Sequence, residues 1–236
     1  MARNEAAIMR PVQYTEYYLV TGILNGTYPP GSDLPSERKL AGDIGVTRQT
    51  LREVLQRLAR DRWITIMHGK PTRVNDYWRE GGMGMLATLV QYPEYIPREF
   101  IRHLLCAREM LMPVCAGPAV AENREMFRAF LESGPASVDD AQAMADHDWE
   151  LQSMMVFHSG NMVYPLMHND FAPVFKIMGH RYFSLEKSRS ASVMYYERLL
   201  NAVINYEDVR SVVKRAMAES IVIWDELQEA VDDRPN

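Results

Sequence analysis

The sequence has few of the features that mark secreted, membrane or metal-binding proteins. Its 236 residues include only two cysteines, Cys106 and Cys115, and no CxxC pair, which disfavours a disulfide framework or a zinc–thiolate site. It contains no run of about 18 apolar residues, as a membrane-spanning helix would need. The start, MARNEAAIMRP, has no apolar core typical of a signal peptide. We therefore expect a cytoplasmic protein with reduced thiols and no membrane contact.

Catalytic motifs are also missing. The sequence has no GxSxG elbow, no P-loop and no HExxH helix. His158 and Ser159 are adjacent, but adjacency in sequence does not create the geometry of a catalytic triad. We therefore do not expect an enzyme.

Charge is divided unevenly along the chain. The net charge is −5, but residues 1–78 hold 11 basic and 8 acidic side chains, whereas residues 79–236 hold 15 and 23. The first part therefore carries +3 and the second −8. A local excess of basic charge is typical of a domain that contacts nucleic acid, and the acidic remainder is not expected to lie along DNA.

Residues 34–74 have the order of elements of a winged helix-turn-helix. Ser36 is a candidate N-cap for a short helix that Gly45 ends, and Thr47 is the N-cap candidate of a second helix. Residues 63–66 and 72–74 favour two strands around a tight turn. The two helices repeat apolar residues at helical spacing, which predicts a buried face made of Leu40, Ala41, Ile44, Leu51, Val54, Leu55 and Leu58. A further helix over residues 11–26 is expected before them.

The second helix begins with side chains suited to phosphates and base edges. Its first positions are Thr47, Arg48, Gln49 and Thr50, and the helix dipole adds to their preference for anions. Arg52 lies four residues after Arg48, on the same face. The tip of the hairpin, with His68, Gly69 and Lys70, can enter or flank the minor groove. The alternative is that these cations form only a solvated helix face.

From Met85 onward the pattern predicts helices only. The expected segments are 85–91, 97–112, 114–133, 137–158, 162–184, 187–205 and 207–231, with Pro113 ending or kinking the second of them. The fold class is thus mainly α: a winged helix-turn-helix domain over 1–78, a Gly-rich linker over 79–84 and an all-α bundle over 85–236. The 16 methionines indicate either plastic core packing or a pocket for a flexible apolar ligand.

Three sequence blocks identify the chain as resembling the GntR family of bacterial transcription regulators. They are PPG at 29–31, LPSERKLA at 34–41 and GVTRQTLREVLQRL at 45–58. Weaker similarity to the family's fatty-acid-responsive branch continues through LLCAR, SGN, GHRYF and ESIVIW. The resemblance implies operator contacts at Arg38, Thr47, Arg48, Thr50, Arg52, His68 and Gly69. It suggests that Arg48 reads a guanine and that His68 and Gly69 work in the minor groove.

The same resemblance implies that the helical domain binds a long-chain acyl-CoA, which releases the DNA. The positions that match ligand-binding residues are Arg108, Tyr182, Ser220 and Trp224. One departure concerns Ala216 and Met217, which replace a Tyr-Gly pair in which the glycine lets a ligand approach the backbone. That change motivates an alternative effector, a small metabolite such as a carboxylate.

Many relatives of this class bind a divalent cation through one Asp and three His. Here Asp148 matches the Asp, but Gln152, Tyr196 and Ala218 stand at the His positions. Without imidazole ligands we expect no metal, and no cofactor apart from the effector.

Together these inferences predict a homodimeric repressor or activator of fatty-acid metabolism genes. It would bind a palindromic double-stranded operator and leave it when long-chain acyl-CoA binds. The alternative is a GntR-type regulator that answers a different small metabolite. A third hypothesis is a ligand-binding or enzymatic helical protein with a vestigial DNA-binding domain.

Overall fold

The computed structural model describes residues 9–97 and 99–232. The chain divides into two compact units, residues 1–96 and 97–236. The segment expected to be a linker, residues 79–84, falls inside the first unit. It includes the end of one short helix and the start of a 3-10 turn, so the boundary between compact units comes later than the Gly-rich segment.

The first unit contains five α-helices and one hairpin among the described residues. They are α1 (Pro11–Leu24), α2 (Glu37–Ile44), α3 (Arg48–Arg60), β1 (Ile64–Thr65), β2 (Arg73–Val74), α4 (Tyr77–Glu80) and α5 (Leu86–Leu89). Two 3-10 turns, Met83–Met85 and Pro93–Tyr95, flank α5. α3 packs against α1 and α2. This arrangement confirms the predicted helix-turn-helix.

The predicted caps of α2 and α3 are confirmed. The Ser36 hydroxyl accepts a hydrogen bond from the Lys39 amide at 3.4 Å, and the Thr47 hydroxyl accepts from the Thr50 amide at 3.1 Å. Gly45 ends α2 at φ 80°, a conformation that favours glycine. The predicted apolar face is buried throughout, because one side of each helix carries all the large apolar side chains.

The wing is a hairpin shorter than the sequence predicts. β1 and β2 are antiparallel, with Ile64 opposite Val74. The strand expected from residue 63 begins one residue later because the Trp63 amide donates to Leu58 O at the end of α3, 2.9 Å away. The loop before α2 adds to the sheet instead, since the Gly31 amide donates to Val74 O at 2.8 Å.

The second unit is a bundle of helices. It comprises α6 (Phe100–Glu122), α7 (Arg124–Ser133), α8 (Ala141–Phe157), α9 (Tyr164–Phe183), α10 (Glu186–Asn205) and α11 (Val209–Asp232). α6 packs against α11 and α8, α8 against α9, and α10 against α7 and α11. The predicted all-α bundle is therefore confirmed.

The sequence predicts that the helix before Pro113 ends or kinks there, and the ending is wrong. The helix continues through Pro113 and Pro118 and ends at Glu122. Each proline removes one backbone donor, but Pro113 lies in the buried face of α6 together with Met112, Cys115 and Ala116. Burial of that face against α8 and α11 outweighs the loss of the backbone hydrogen bond.

By length and composition alone α6 is also apolar enough to cross a membrane. Core helices of globular proteins meet the same criterion, and several α6 residues belong to the main hydrophobic cluster of the second unit. We interpret α6 as a core helix for that reason.

Candidate functional site

The residues expected to contact DNA lie at the surface of the first unit. Thr47, Arg48 and Gln49 form the exposed start of α3, while Thr50 is half-buried. Exposed side chains are also found at the start of α2, one turn further along α3 and at the wing tip: Arg38, Arg52, His68, Gly69 and Lys70. Gly69 turns the wing at φ 70°. The arrangement presents cations and free backbone donors at a helix N-terminus, as phosphate and base contacts require.

One acidic side chain sits among these cations. The Arg52 Nε donates to Glu37 Oε2 at 2.7 Å, and Arg48 Nη2 lies 3.7 Å from the same oxygen. Glu37 opens α2, so its carboxylate also lies at the positive end of a helix dipole. A single carboxylate thus contacts Arg48, which is expected to read a guanine, and Arg52, which is expected to contact a phosphate or a base.

A separate cavity of about 150 Å³ lies in the second unit. Its walls come from α6, α8 and α9, with one residue from α11, and are almost entirely apolar or aromatic. The residues are Ile101, Leu104, Leu105, Ala107, Arg108, Leu111, Met112, Asp148, Trp149, Gln152, Met167, His168, Phe171, Val174, Phe175, Met178, Gly179, Tyr182, Phe183 and Trp224. Such walls suit a flexible apolar ligand, and the methionines allow them to adapt.

The polar part of the cavity is organised around a buried carboxylate. Asp148 Oδ2 accepts from Arg108 Nη2 at 3.1 Å and from Gln152 Nε2 at 2.6 Å, and Oδ1 accepts from the Tyr196 hydroxyl at 3.2 Å. Burial, together with the nearby Asp148 charge, holds the pKa of Tyr196 well above its usual value, so this phenol remains a donor. The Arg108–Asp148 pair leaves the cluster without net charge.

Two N–H donors at the cavity are unused. Within residues 9–97 and 99–232, neither Arg108 Nε nor Trp224 Nε1 has a hydrogen-bond partner. Trp224 is 2% exposed, and a buried donor without a partner is costly. Both residues belong to the wall of the cavity.

A smaller cavity of about 20 Å³ adjoins this polar group. It shares Arg108, Asp148 and Tyr182 with the larger cavity. Ser220 and Met217 are among its other walls, and the Ser220 hydroxyl donates to Met217 O at 2.6 Å. The Met217 side chain is 2% exposed and packs in the main hydrophobic cluster.

The four residues expected to bind the ligand therefore surround these two cavities. Arg108 and Tyr182 line both, Trp224 lines the larger and Ser220 the smaller. The aromatic wall contributed by α8 and α9 was not predicted from the sequence. Trp149 stacks on His168 with ring centroids 4.0 Å apart and also contacts Phe175. Their helical spacing in the sequence is the same as that of ordinary core residues, so it did not distinguish them.

His168 is the polar exception in that aromatic wall. Its Nε2 lies 3.0 Å from the Ser153 hydroxyl. Burial, and secondarily the charge of Arg108, lowers the pKa of His168 to about 4. The imidazole is therefore neutral at pH 7, which keeps the wall of the cavity uncharged.

Two of the three residues at the positions where the resemblance implies histidines form hydrogen bonds, and the third is Ala218. Gln152 and Tyr196 both donate to Asp148, and the Arg108 guanidinium supplies the positive charge next to this carboxylate. Within the described part of the chain, no group of three His, Cys, Asp or Glu side chains is arranged to hold a metal ion.

Comparison with known proteins defines the class of the chain. Residues 13–74 match the family "Bacterial regulatory proteins, gntR family", and residues 75–235 match the FadR C-terminal domain. The fold also resembles the solved structure of Lar, which controls expression of the Listeria monocytogenes agr system. The TM-score is 0.61 at 15% identity, over 93% of this chain and 99% of that one.

Two curated relatives cover nearly the whole chain. A fatty acid metabolism regulator protein of Shewanella pealeana is 40% identical, over 95% of this chain and 94% of its own. One of Pectobacterium atrosepticum is 39% identical, over 94% and 93%. The chain belongs to the GntR family of bacterial transcription regulators. Within that family, its second unit is a FadR-type C-terminal domain.

Proposed function

We propose that the protein binds operator DNA through its first unit and is released when a long-chain acyl-CoA enters the cavity of its second unit. Family membership and the relatives make it a DNA-binding regulator of fatty acid metabolism. The proposal adds the identity of the effector and the roles of individual residues. We also propose that it acts as a homodimer on a palindrome, since a two-fold dimer reads two-fold DNA.

Two buried donors without partners, on residues of the cavity wall, carry the proposal. An acyl carbonyl oxygen can accept from Trp224 Nε1 and Arg108 Nε, which have no partner within the described residues. The apolar wall along α9 runs from Met167 to Tyr182, roughly 22 Å of helix at about 1.5 Å per residue. This length suits a long chain rather than a short one.

Charge favours the thioester over a free fatty acid. Asp148 already neutralises Arg108 at 3.1 Å, so a carboxylate ligand would bring an uncompensated negative charge into a buried site. A neutral thioester carbonyl needs only donors. The exposed Arg181 has its guanidinium carbon 5.6 Å from the Trp224 ring centroid, which supplies a cation for the CoA phosphates near the same residue.

The cavity must widen before such a ligand fits. About 150 Å³ is below the roughly 300–1,000 Å³ of typical ligand pockets. The walls include Met112, Met167 and Met178, whose side chains repack easily. Widening moves α6, α8 or α9, and we propose that this movement lowers operator affinity.

The alternative effector, a small carboxylate, is motivated by Met217, which lines the smaller cavity. Calorimetry with palmitoyl-CoA, palmitate and a short dicarboxylate separates the two effectors. Our proposal requires heat and 1:1 binding with palmitoyl-CoA at concentrations where the other two give none. Binding of the dicarboxylate alone would favour the alternative.

The DNA half of the proposal is tested with Arg48. The probe is a duplex that the full-length protein selects from random DNA. Arg48→Ala should weaken binding by about 1–3 kcal/mol and relax the preference at one base pair. Arg60→Ala is the control, since Arg60 is exposed at the other end of α3. Unchanged affinity and preference in the Arg48 variant would exclude its assigned role.

A further inference from the structure

The surface that is expected to contact DNA carries the carboxylate of Glu37, which has no assigned contact with DNA. Glu37 accepts from Arg52 Nε at 2.7 Å and lies 3.7 Å from Arg48 Nη2. Its side chain is 34% exposed and each arginine 60% exposed. A negative charge at this place opposes binding to a polyanion, so its presence requires a reason other than affinity.

We propose that Glu37 is a positioning residue for specificity: it holds Arg48 and Arg52 toward base edges and penalises binding to phosphate alone. This inference rests on the proposed DNA contacts of the two arginines. It adds a role for an acidic residue that does not itself contact a base.

The contacts with Glu37 restrict the side chains of Arg48 and Arg52. Arginine has many rotamers, and fixing its guanidinium before binding reduces the entropy lost on binding. The Glu37–Arg52 bond uses Nε and leaves both Nη groups of Arg52 available. Arg48 is held more loosely, by one Nη at 3.7 Å, so its remaining donors are free for a bidentate contact with guanine.

The Glu37 carboxylate also changes the electrostatics of DNA binding. In non-specific complexes basic side chains meet phosphates, and this contact supplies nearly all of the affinity. When Arg48 and Arg52 contact phosphates, the Glu37 carboxylate beside them comes close to the DNA backbone, and the two negative charges repel each other. A DNA sequence with a guanine at the position read by Arg48 avoids this electrostatic cost. Glu37 therefore lowers affinity for most sequences more than for the operator.

The experiment compares full-length Glu37→Gln with wild type on two probes, the duplex selected by the wild-type protein and a scrambled duplex of equal length. We expect scrambled-DNA affinity to rise and selected-DNA affinity to stay within about twofold. The specificity ratio should then fall roughly tenfold, the size of effect that one close charge pair produces. Sequence selection with the variant should also show a weaker preference at the base pair read by Arg48.

Glu53→Gln is the matched control. Glu53 lies in α3, next to Arg52 in the chain, and its carboxylate pairs with Arg57 at 2.6 Å. Glu53→Gln therefore makes the same change of net charge while leaving the Glu37 contacts of Arg48 and Arg52 in place. If both variants raise affinity for the two probes equally, net charge explains the result and the proposal is wrong. If Glu37→Gln weakens both probes equally and lowers the melting temperature, Glu37 has only a structural role.

Failure of the proposed function would look different. If Arg48→Ala binds both probes as wild type does, the arginine contacts themselves are wrong. If Arg48→Ala loses specificity while Glu37→Gln keeps the wild-type ratio, only the role of Glu37 is refuted. Glu37→Asp provides a further test, because its charge remains but its shorter side chain reaches Arg52 less well, and an intermediate ratio is expected.

Discussion

The most direct chemical test of the cavity removes the Trp224 donor from the protein and the carbonyl acceptor from the ligand, one at a time. Trp224→Phe deletes the indole N–H and keeps an aromatic ring in a position that is 2% exposed. The matching change in the ligand replaces palmitoyl-CoA by hexadecyl-CoA, a thioether that lacks the carbonyl oxygen. The four combinations form a double-mutant cycle between protein and ligand.

The expected coupling follows from the unused donor. Trp224 Nε1 has no hydrogen-bond partner within the described residues, so a bound carbonyl gains a new bond and the protein loses an unsatisfied group. A neutral hydrogen bond contributes about 1 kcal/mol, or roughly fivefold in affinity. The ratio of thioester affinity to thioether affinity should therefore be about five times larger for wild type than for the Trp224→Phe variant.

Isothermal titration calorimetry measures all four affinities. Trp63→Phe is the control, because Trp63 Nε1 is also buried without a partner in the described structure but belongs to the first unit. This variant should keep the wild-type preference. If Trp224→Phe weakens both ligands equally, the indole contributes only packing and the carbonyl contact is refuted.

Three further predictions concern the polar groups. Asp148→Asn removes the counter-charge of Arg108, and urea titrations should show a free energy of unfolding lower by about 3 kcal/mol. The same variant should bind palmitate more strongly relative to palmitoyl-CoA. An unchanged ratio of the two affinities would refute the role assigned to the Asp148 charge. Burial holds the pKa of His168 near 4, so the unfolded chain takes up a proton near pH 6.5 and the folded one only near pH 4; stability should fall as pH drops through this window, and His168→Phe should reduce the slope. Thr47→Ala loses the hydrogen bond to the Thr50 amide at 3.1 Å and should cost about 1 kcal/mol in thermal unfolding, whereas an unaltered melting temperature would show that the cap contributes nothing.

The first unit was predictable because its signals are local. Ser36 and Thr47 each cap a helix through an amide three residues away, and the buried faces of α2 and α3 follow directly from helical spacing. The wing was predicted too long, since the Trp63 amide donates to Leu58 O at the end of α3, and strand propensity does not report this hydrogen bond at the helix end.

The second unit was predictable only in outline. Its helices follow from periodicity, but the continuation of α6 through Pro113 depends on burial of that proline against other helices. The polar group of the cavity depends on contacts between residues far apart in sequence, such as Arg108 with Asp148 and Asp148 with Tyr196. Resemblance to the family indicated single positions, whereas the charge balance between them required coordinates.

The role of Glu37 was likewise not predicted from sequence. The motif places an acidic residue beside Arg38, but adjacent residues of a helix do not face each other, so the sequence indicates no partner for Glu37. The structure instead pairs Glu37 with Arg52, fifteen residues away, which makes an acidic residue part of a basic surface.

The central claim is that an acyl-CoA bound in the second unit weakens DNA binding by the first. Fluorescence anisotropy of the full-length protein on its selected duplex, titrated with palmitoyl-CoA, tests it directly, with CoA and palmitate as controls. We expect palmitoyl-CoA alone to release the duplex, with a reduction in affinity of about 5–150-fold. If the complex persists while calorimetry shows palmitoyl-CoA bound, or if Trp224→Phe and wild type respond at identical concentrations, the proposed control of DNA binding is contradicted.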